Sequence, residues 1–266
     1  SADIADVFEQ LNDNHRRVLT SVIGSEMEPE VLSELDDSTL DDVITEMDDQ
    51  DVARAISQME SDDAVHVLED LGEDEQRKII DALPDEDRIA IEEGLSYPED
   101  SAGRLLQKNL VSVPGQWTVG KVIDYFRTDE ELPDEFYEVF IVDPTHHPIG
   151  TVALNKIIRS DREKIISSIM EDELRVVPVE MDQEEVAYLF RQYDLTSMAV
   201  VDDSGRLIGM ITVDDVVDVI DEEAEEDLML MSGITDTDIT ESVIEASKNR
   251  VIWLVINLAT AILASM

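Results

Sequence analysis

Cysteine is absent from this 266-residue chain. Its absence excludes disulfide bonds, thiolate metal sites and a cysteine nucleophile. Histidine is scarce, with 4 residues, and none is placed at the helical spacing of a zinc-binding pair. Neither a P-loop nor a Ser/His/Asp arrangement is evident, so the sequence predicts that the protein is not an enzyme.

Basic residues are also few. The chain has 19 lysines and arginines against 65 acids, a formal net charge of −46. Nucleic acid and anionic membrane surfaces carry the same sign, so neither is expected as a general partner. The charge instead favours Mg²⁺, Ca²⁺ or concentrated K⁺ as counter-ions, and salt adaptation of the whole surface is the alternative explanation. The hydrophobic fraction of 43% is too high for a disordered acidic tail.

A signal peptide is not evident at the start of the sequence, which begins Ser1-Ala2 and resembles a processed or cloned N-terminus. We therefore expect a cytosolic location for the soluble part.

The first hundred residues predict a domain of short stacked helices. Apolar anchors recur every 12 residues between positions 35 and 95, and acidic or other cap-forming residues follow each anchor. Such helices are too short to be stable alone, but stacked neighbours bury a continuous core, as in a small solenoid. The anchors are Leu35, Met47, Met59, Leu71, Leu83 and Leu95; before them, an apolar stripe of Val7, Leu11, Val18, Leu19 and Val22 is expected.

Two copies of a βαββα unit follow from Val111. The first has segments at 111–114, 119–126, 139–143 and IGTV, and the second at 176–179, 183–193, 198–202 and IGMIT. Asp143 and Gly150 of the first copy align with Asp202 and Gly209 of the second. The repeat predicts one compact pseudo-symmetric domain.

The second copy ends in a strongly acidic stretch, residues 206–227. It is interpreted as a strand, Leu207–Ile211, and a helix that opens at Thr212. Like charges at i,i+3 and i,i+4 repel one another on such a helix, so a cation or bulk salt must neutralise them. The apolar residues expected to face inward are Val213, Val216, Val217, Ile220 and Ala224. The acids expected mostly on the other faces are Asp214, Asp218, Asp221, Glu222 and Glu225.

The last sixteen residues, 251–266, carry no charge, and Lys248 and Arg250 come just before them. A bilayer span needs about 20 apolar residues, so this run is short. Its Trp253 and the preceding basic residues are nevertheless typical of the cytoplasmic end of a membrane helix. The sequence predicts a chain that ends inside its first span; a buried core helix or an oligomer face is the alternative.

The tandem units resemble a pair of CBS domains. The resemblance is carried by the strands VFIVD and MAVVD and by the G-x-x-T-x-x-D run at Gly209, Thr212 and Asp215. The order of the whole chain is more specific: acidic helical repeats, YPEDSAG at 97–103, the CBS pair ending in TVDDVVDVIDEEAEED, a connecting helix, then NRVIWLVINL. This order is similar to the cytosolic part of the MgtE family of Mg²⁺ channels and transporters, over essentially the full chain.

The resemblance implies an α+β multidomain fold. An all-α superhelical repeat domain of short helices (1–105) is followed by a tandem CBS (βαββα) pair (106–228). The first CBS motif is expected at about 106–168 and the second at about 169–228. A connecting plug helix (229–250) then runs into a truncated transmembrane helix (251–266).

The resemblance also implies a regulatory mechanism. The family forms homodimers through its CBS domains, at the cytoplasmic face of the membrane, below a five-helix pore that this chain lacks. Several Mg²⁺ ions between the N-terminal domain, the CBS pair and the plug helix would hold a compact closed state, which low Mg²⁺ releases. The family's acidic positions fall on Asp62 and Asp63, which are expected to face Asp215 and Asp218. Further metal candidates are Glu30, Glu184, Glu223, Glu226 and Asp227. His66 lies where some relatives are expected to have an acid.

Some CBS pairs bind adenine nucleotides, with the Asp of T-x-x-D holding the ribose. Thr212 and Asp215 keep that pattern, whereas the first copy has Ala153 and Lys156 at the equivalent positions. ATP is therefore a possible ligand, although the net charge opposes a polyphosphate that comes without Mg²⁺. The alternative function is a salt-adapted CBS regulatory protein that responds to adenine nucleotide rather than Mg²⁺, and the structural alternative for Thr212 is a helix N-cap.

Overall fold

The computed structural model describes residues 2–69, 71–129, 132–133, 136–171 and 173–232. Contacts divide the chain into two compact units, Ser1–Val213 and Asp214–Met266. The predicted membrane segment and the predicted connecting helix beyond residue 232 lie outside the described residues. Within the described part, no helix combines the length and the apolarity that crossing a bilayer requires.

Short helices form the first hundred residues, as the 12-residue repeat predicts. At the N-cap positions of two of these helices, the side chains of Asp36 and Asp48 accept a backbone N–H from the first turn. At two other helices the N-cap residue is Gly72 or Pro84, which makes no side-chain hydrogen bond to the helix. The helices are α1 (Ala2–Gln10), α2 (Asp13–Ile23), α3 (Pro29–Ser33), α4 (Asp37–Glu46), α5 (Asp49–Ile56), α6 (Ser61–Glu69), α7 (Glu73–Ala82) and α8 (Asp85–Leu95), with a 3-10 turn at Gly24–Glu26.

Helices two apart in sequence pack against each other in this domain. The pairs α1–α3, α2–α4, α5–α7 and α6–α8 are all in contact. Because alternate helices pack against each other, their apolar faces form one continuous core. The six repeat anchors are buried in this core or packed against it, which confirms their predicted role.

The apolar stripe expected in residues 1–34 is wrong in part. Val7, Val18 and Val22 are exposed by 50%, 62% and 71%. The buried positions of α1 are instead Ala5 and Phe8. In helices this short, an apolar residue one position away from the core face is left in solvent.

The two βαββα copies form two equivalent three-stranded sheets. In each, the first strand runs parallel to the second and the third runs antiparallel to it, with an irregularity in register near the end of the second strand. The first copy comprises β1 (Ser112–Pro114), α9 (Val119–Thr128), β2 (Glu138–Val142), β3 (Pro148–Ala153) and α10 (Leu154–Arg159), followed by a 3-10 turn at Ile166–Ser168; the second comprises β4 (Val176–Pro178), α11 (Gln183–Tyr193), β5 (Ser197–Val201), β6 (Leu207–Thr212) and α12 (Val213–Ser232).

The copies exchange short segments and share apolar residues. Gln107, before the first copy, bridges Met210 of β6, and Glu171, before the second copy, bridges Thr151 of β3. A further buried cluster joins Phe140 and Val142 of the first copy to Ala199 and Leu207 of the second. The two motifs are therefore in contact through backbone bridges and a shared apolar cluster, and the single domain that the aligned repeats predict stays a prediction.

Candidate functional site

Helix α12 carries the acids that the sequence singles out. Asp215 and Glu223 are half-buried, whereas Asp214, Asp218 and Asp221 are exposed. Glu226 and Asp227 belong to the same helix, but their side chains lie outside the described set. Two acids in the first turn, Asp214 and Asp215, are favoured by the helix dipole.

The apolar face expected for α12 needs correction. Val216 and Val219 are 2% exposed, but Val213, Val217 and Ile220 are exposed by 43%, 49% and 39%, and Ala224 is exposed as well. With 3.6 residues per turn, Val219 lies more than a quarter-turn from the exposed apolar stripe, whereas Val216 lies at its edge, about 40° from Ile220. The apolar stripe that the sequence expected to face inward is therefore exposed on this helix.

The acids predicted on the N-terminal domain occupy the start of α6. Asp62 is 6% exposed and Asp63 is half-buried, both in the first helical turn. His66 follows one turn later, 3.7 Å from Glu69 through its Nδ1 atom. Burial of an aspartate is costly unless other groups compensate it, so this end of α6 is a specialised position rather than ordinary surface.

The start of α6 also touches the linker into the CBS pair. The Ser61 hydroxyl donates to the Leu106 carbonyl at 2.9 Å and accepts the Lys108 N–H at 3.1 Å. Between those residues, Gln107 exchanges two backbone hydrogen bonds with Met210 of β6, at 2.8 and 3.0 Å. Gly209 permits this approach, because a Cβ there would lie 2.6 Å from the Gln107 carbonyl oxygen.

Two ion pairs strengthen the same junction. The Lys108 ammonium lies 2.5 Å from Glu93 of α8, and Arg104 lies 2.6 Å from Glu69 of α6. The hydrogen bond from Lys108 holds the pKa of Glu93 below its usual range. The Tyr97 hydroxyl also donates to Glu93, and burial, followed by the charge of Glu93, raises the pKa of Tyr97 to about 12. The sequence analysis noted the YPEDSAG run at 97–103 but did not predict these ion pairs and hydrogen bonds.

Glu30 and Glu184 both lie in first helical turns and are exposed. Glu184 follows Asp182, the residue that caps α11 by accepting the Glu184 N–H at 3.0 Å. Within the described part of the chain, no three His, Asp or Glu side chains converge as a metal centre would require. Whether Asp62 and Asp63 face Asp215 and Asp218 stays a prediction.

The nucleotide pattern is asymmetric between the copies. Thr212 ends β6 and accepts the Gln107 side-chain amide at 3.4 Å, directly before α12 begins. In the first copy Ala153 is the N-cap of α10, and Lys156 lies 3.5 Å from Glu171. In the first copy, Lys156 and its ion pair with Glu171 therefore occupy the position of the carboxylate that would bind a ribose.

Glu138 is a polar group that the sequence reasoning missed. It opens β2 and accepts the Ser197 hydroxyl at the start of β5, so the equivalent positions of the two copies meet. Burial raises the pKa of Glu138, and the charge of Glu171 acts in the same direction, against a hydrogen bond from Thr151.

Because its pKa is raised in the folded state, Glu138 stabilises the fold when protonated, and that contribution is lost as the pH rises through the folded pKa. We expect Glu138→Gln, which mimics the protonated carboxyl, to raise Tm at pH 8 by about 2–4 °C, on the order of 1 kcal/mol. The gain should shrink towards pH 4.5. Thermal unfolding followed by circular dichroism measures it, with the exposed Glu185→Gln as control; an equal gain in both variants at both pH values would contradict the expectation.

Comparison with known proteins identifies the two parts of the chain. Residues 1–100 match the MgtE intracellular N domain, and residues 166–222 match the CBS domain. The magnesium transporter MgtE of Thermus thermophilus is 35% identical over 183 residues, 67% of this chain and 40% of that protein. The MgtE of Enterococcus faecalis is 31% identical over 170 residues, 64% of this chain and 38% of that protein. The chain therefore spans about two fifths of these relatives.

Solved structures agree with this assignment. The soluble part of a magnesium transporter matches with a TM-score of 0.70 and 28% identity, covering 83% of this chain and 87% of that one. The cytosolic domain of the Mg²⁺ channel MgtE in complex with ATP matches with a TM-score of 0.61 and 29% identity, covering 82% and 89%. The predicted fold class, a helical domain followed by a CBS pair, is confirmed. The relatives are transporters or channel domains rather than enzymes, in agreement with the sequence-based expectation.

Proposed function

Because the chain belongs to the MgtE family, we propose that it is the cytosolic Mg²⁺-sensing regulatory region of a magnesium channel or transporter. It lies at the cytoplasmic face of the membrane below its own pore domain. Several Mg²⁺ ions bridge the N-terminal domain, the CBS pair and the plug helix in a compact closed state. A fall in Mg²⁺ releases that state.

The observation that carries the proposal is the acidic helix α12, with its half-buried Asp215 and its exposed Asp218. Two carboxylates about 4 Å apart repel each other by on the order of 4 kcal/mol at an effective dielectric constant of 20. A Mg²⁺ ion between them removes that repulsion, and it typically uses only one or two carboxylates while it keeps several waters. Acids distributed over facing elements thus suit a sensor that closes when ions bind.

The same helix supports a homodimer. Val213, Val217 and Ile220 form an apolar stripe that the described chain leaves in solvent. Apolar patches on a surface commonly mark interaction sites. In our proposal the stripe packs against the CBS pair of a second copy.

Small-angle X-ray scattering tests the sensor. We expect the radius of gyration to fall on titration with MgCl₂, while KCl added to the same ionic strength leaves it unchanged. At ten times Kd, each site created by compaction favours the compact state by about 1.4 kcal/mol. Equal compaction in both salts would mean that screening of the −46 charge explains the response, and it would overturn the sensor.

Adenine nucleotide is the second candidate ligand. One solved relative is an MgtE cytosolic domain in complex with ATP, and Thr212 and Asp215 keep the T-x-x-D pattern in the second copy. Calorimetric titration with ATP, in the presence and absence of Mg²⁺, distinguishes this function. Heat that disappears in Asp215→Ala supports it, and no heat in either buffer excludes it.

A further inference from the structure

The hydroxyl of Ser61 makes two hydrogen bonds to a distant part of the chain. Ser61 is the first residue of α6, a place where serine side chains commonly bond a backbone N–H of the first helical turn. Here the hydroxyl donates to the Leu106 carbonyl at 2.9 Å and accepts the Lys108 N–H at 3.1 Å. The side chain is therefore used to hold the linker that leads into the CBS pair.

The geometry of this contact is that of a neighbouring strand. Gln107 exchanges both of its backbone hydrogen bonds with Met210 of β6, at 2.8 and 3.0 Å, in an antiparallel bridge. In an extended chain, the C=O of the preceding residue and the N–H of the following residue point to the opposite side. Those two groups belong to Leu106 and Lys108, and the Ser61 hydroxyl bonds both. The linker is thus hydrogen-bonded to β6 on one side and to α6 on the other.

The β6 side of this link is tightly packed. Gln107 is 3% exposed, and its side-chain amide donates to the Thr212 hydroxyl at 3.4 Å. A Cβ at Gly209 would lie 2.6 Å from the Gln107 carbonyl oxygen, so only glycine allows the two backbones to come this close. Because the linker itself is held against β6, a displacement of the start of α6 from β6 would have to break the two bonds of Ser61.

Two acids follow Ser61 directly. Asp62 is 6% exposed and Asp63 is half-buried, and both are metal candidates through the family resemblance. They lie in the first turn of α6, so the positions of their carboxylates depend on where the helix begins. Mg²⁺ requires near-ideal octahedral geometry with ligand distances of about 2.0–2.1 Å, and binding groups must be held within about 0.5 Å of that geometry. A residue that fixes the start of α6 therefore affects how tightly these acids can bind an ion.

We propose that Ser61 is a positioning residue of the Mg²⁺ sensor. Its hydroxyl holds the start of α6, with Asp62 and Asp63, at a fixed place against the linker and thereby against β6, the strand that leads into α12. The inference rests on the proposed function, since it concerns how ions bind in that sensor. The coupling is reciprocal: if the hydroxyl bonds favour Mg²⁺ binding, bound Mg²⁺ strengthens those bonds by the same factor.

A Mg²⁺ titration of the 266-residue chain, followed by small-angle scattering at constant ionic strength, tests the inference. We expect Ser61→Ala to raise the Mg²⁺ concentration at half-compaction about three- to tenfold, the factor that a lost hydrogen bond typically represents. Ser61→Thr keeps the hydroxyl and should restore a midpoint close to that of wild type. Ser57→Ala is the matched control and should titrate as wild type does, because the Ser57 hydroxyl donates to the nearby Arg54 carbonyl of α5 at 3.0 Å.

The Tm of each variant in EDTA separates positioning from general stability. A lower Tm for Ser61→Ala with an unchanged Mg²⁺ midpoint would mean that Ser61 only stabilises the fold, and it would overturn the inference. So would a Ser61→Thr variant that titrates like Ser61→Ala, or an equal shift in Ser57→Ala. A wild type that does not compact selectively under Mg²⁺ would overturn the sensor itself and this inference with it, so the two failures are distinguishable.

If Ser61→Ala does not fold, hydrogen exchange of the Lys108 amide in wild type gives a second measurement. Reciprocity predicts that this amide exchanges about three- to tenfold more slowly at saturating Mg²⁺ than in EDTA, relative to the amides of β2 and β3 in the first CBS motif. Equal slowing at both places, or none at Lys108, would overturn the role of Ser61.

Discussion

Neutralising four acids of α12 should abolish Mg²⁺-dependent compaction. The variant combines Asp215→Asn, Asp218→Asn, Glu226→Gln and Asp227→Asn. If compaction creates four such sites, then at ten times Kd they contribute about 5–6 kcal/mol in favour of the compact state, and their loss changes the equilibrium by several thousand-fold or more. In the scattering titration, we expect the radius of gyration of this variant to be independent of MgCl₂ at constant ionic strength.

A matched control separates site loss from charge loss. Asp3→Asn, Asp6→Asn, Asp74→Asn and Asp81→Asn remove the same number of charges at exposed positions outside α12. This control should compact under Mg²⁺ as wild type does. If both quadruple variants lose the response equally, total charge governs compaction and the acids of α12 hold no specific role.

The sequence predicted the repeats better than it predicted which face of a helix is buried. The interval between Leu35 and Leu95 places each anchor in the core because every repeat packs against neighbours of the same kind. On α12 the periodicity groups Val213, Val217 and Ile220 on one stripe, but Val216 and Val219 are the buried pair. Periodicity identifies apolar stripes, and it does not distinguish a stripe that faces the core from one left for another chain.

The polar contacts between the two CBS motifs were beyond sequence reasoning for a different reason. Glu138 and Ser197 are equivalent positions of the repeat, yet nothing in either motif shows that they meet at the pseudo-twofold axis. The alignment of Asp143 with Asp202 marked these positions as equivalent in the two copies, but it did not single out His147. Its contact with Ser204 depends on how the copies pack, which no local pattern encodes.

Truncating Phe140 should test whether the two motifs fold as one body. Phe140 is 1% exposed and packs in the cluster that contains Ala199 and Leu207 of the second copy. Phe140→Ala removes a buried aromatic ring and leaves a cavity, a change that typically costs about 3–5 kcal/mol. Because the cavity lies between the motifs, we expect both to unfold together at a lower denaturant midpoint, as measured by urea titration.

The control for Phe140→Ala is Ile158→Ala, on the neighbouring helix α10, where the side chain is 67% exposed. Exposed truncations usually change stability by no more than about 0.5 kcal/mol, so its midpoint should stay close to that of wild type. Two separate transitions in Phe140→Ala, one of them at the wild-type midpoint, would show that the motifs are independent and that the shared cluster contributes little. A single displaced transition would mean that a change in one motif is transmitted to the other through this core.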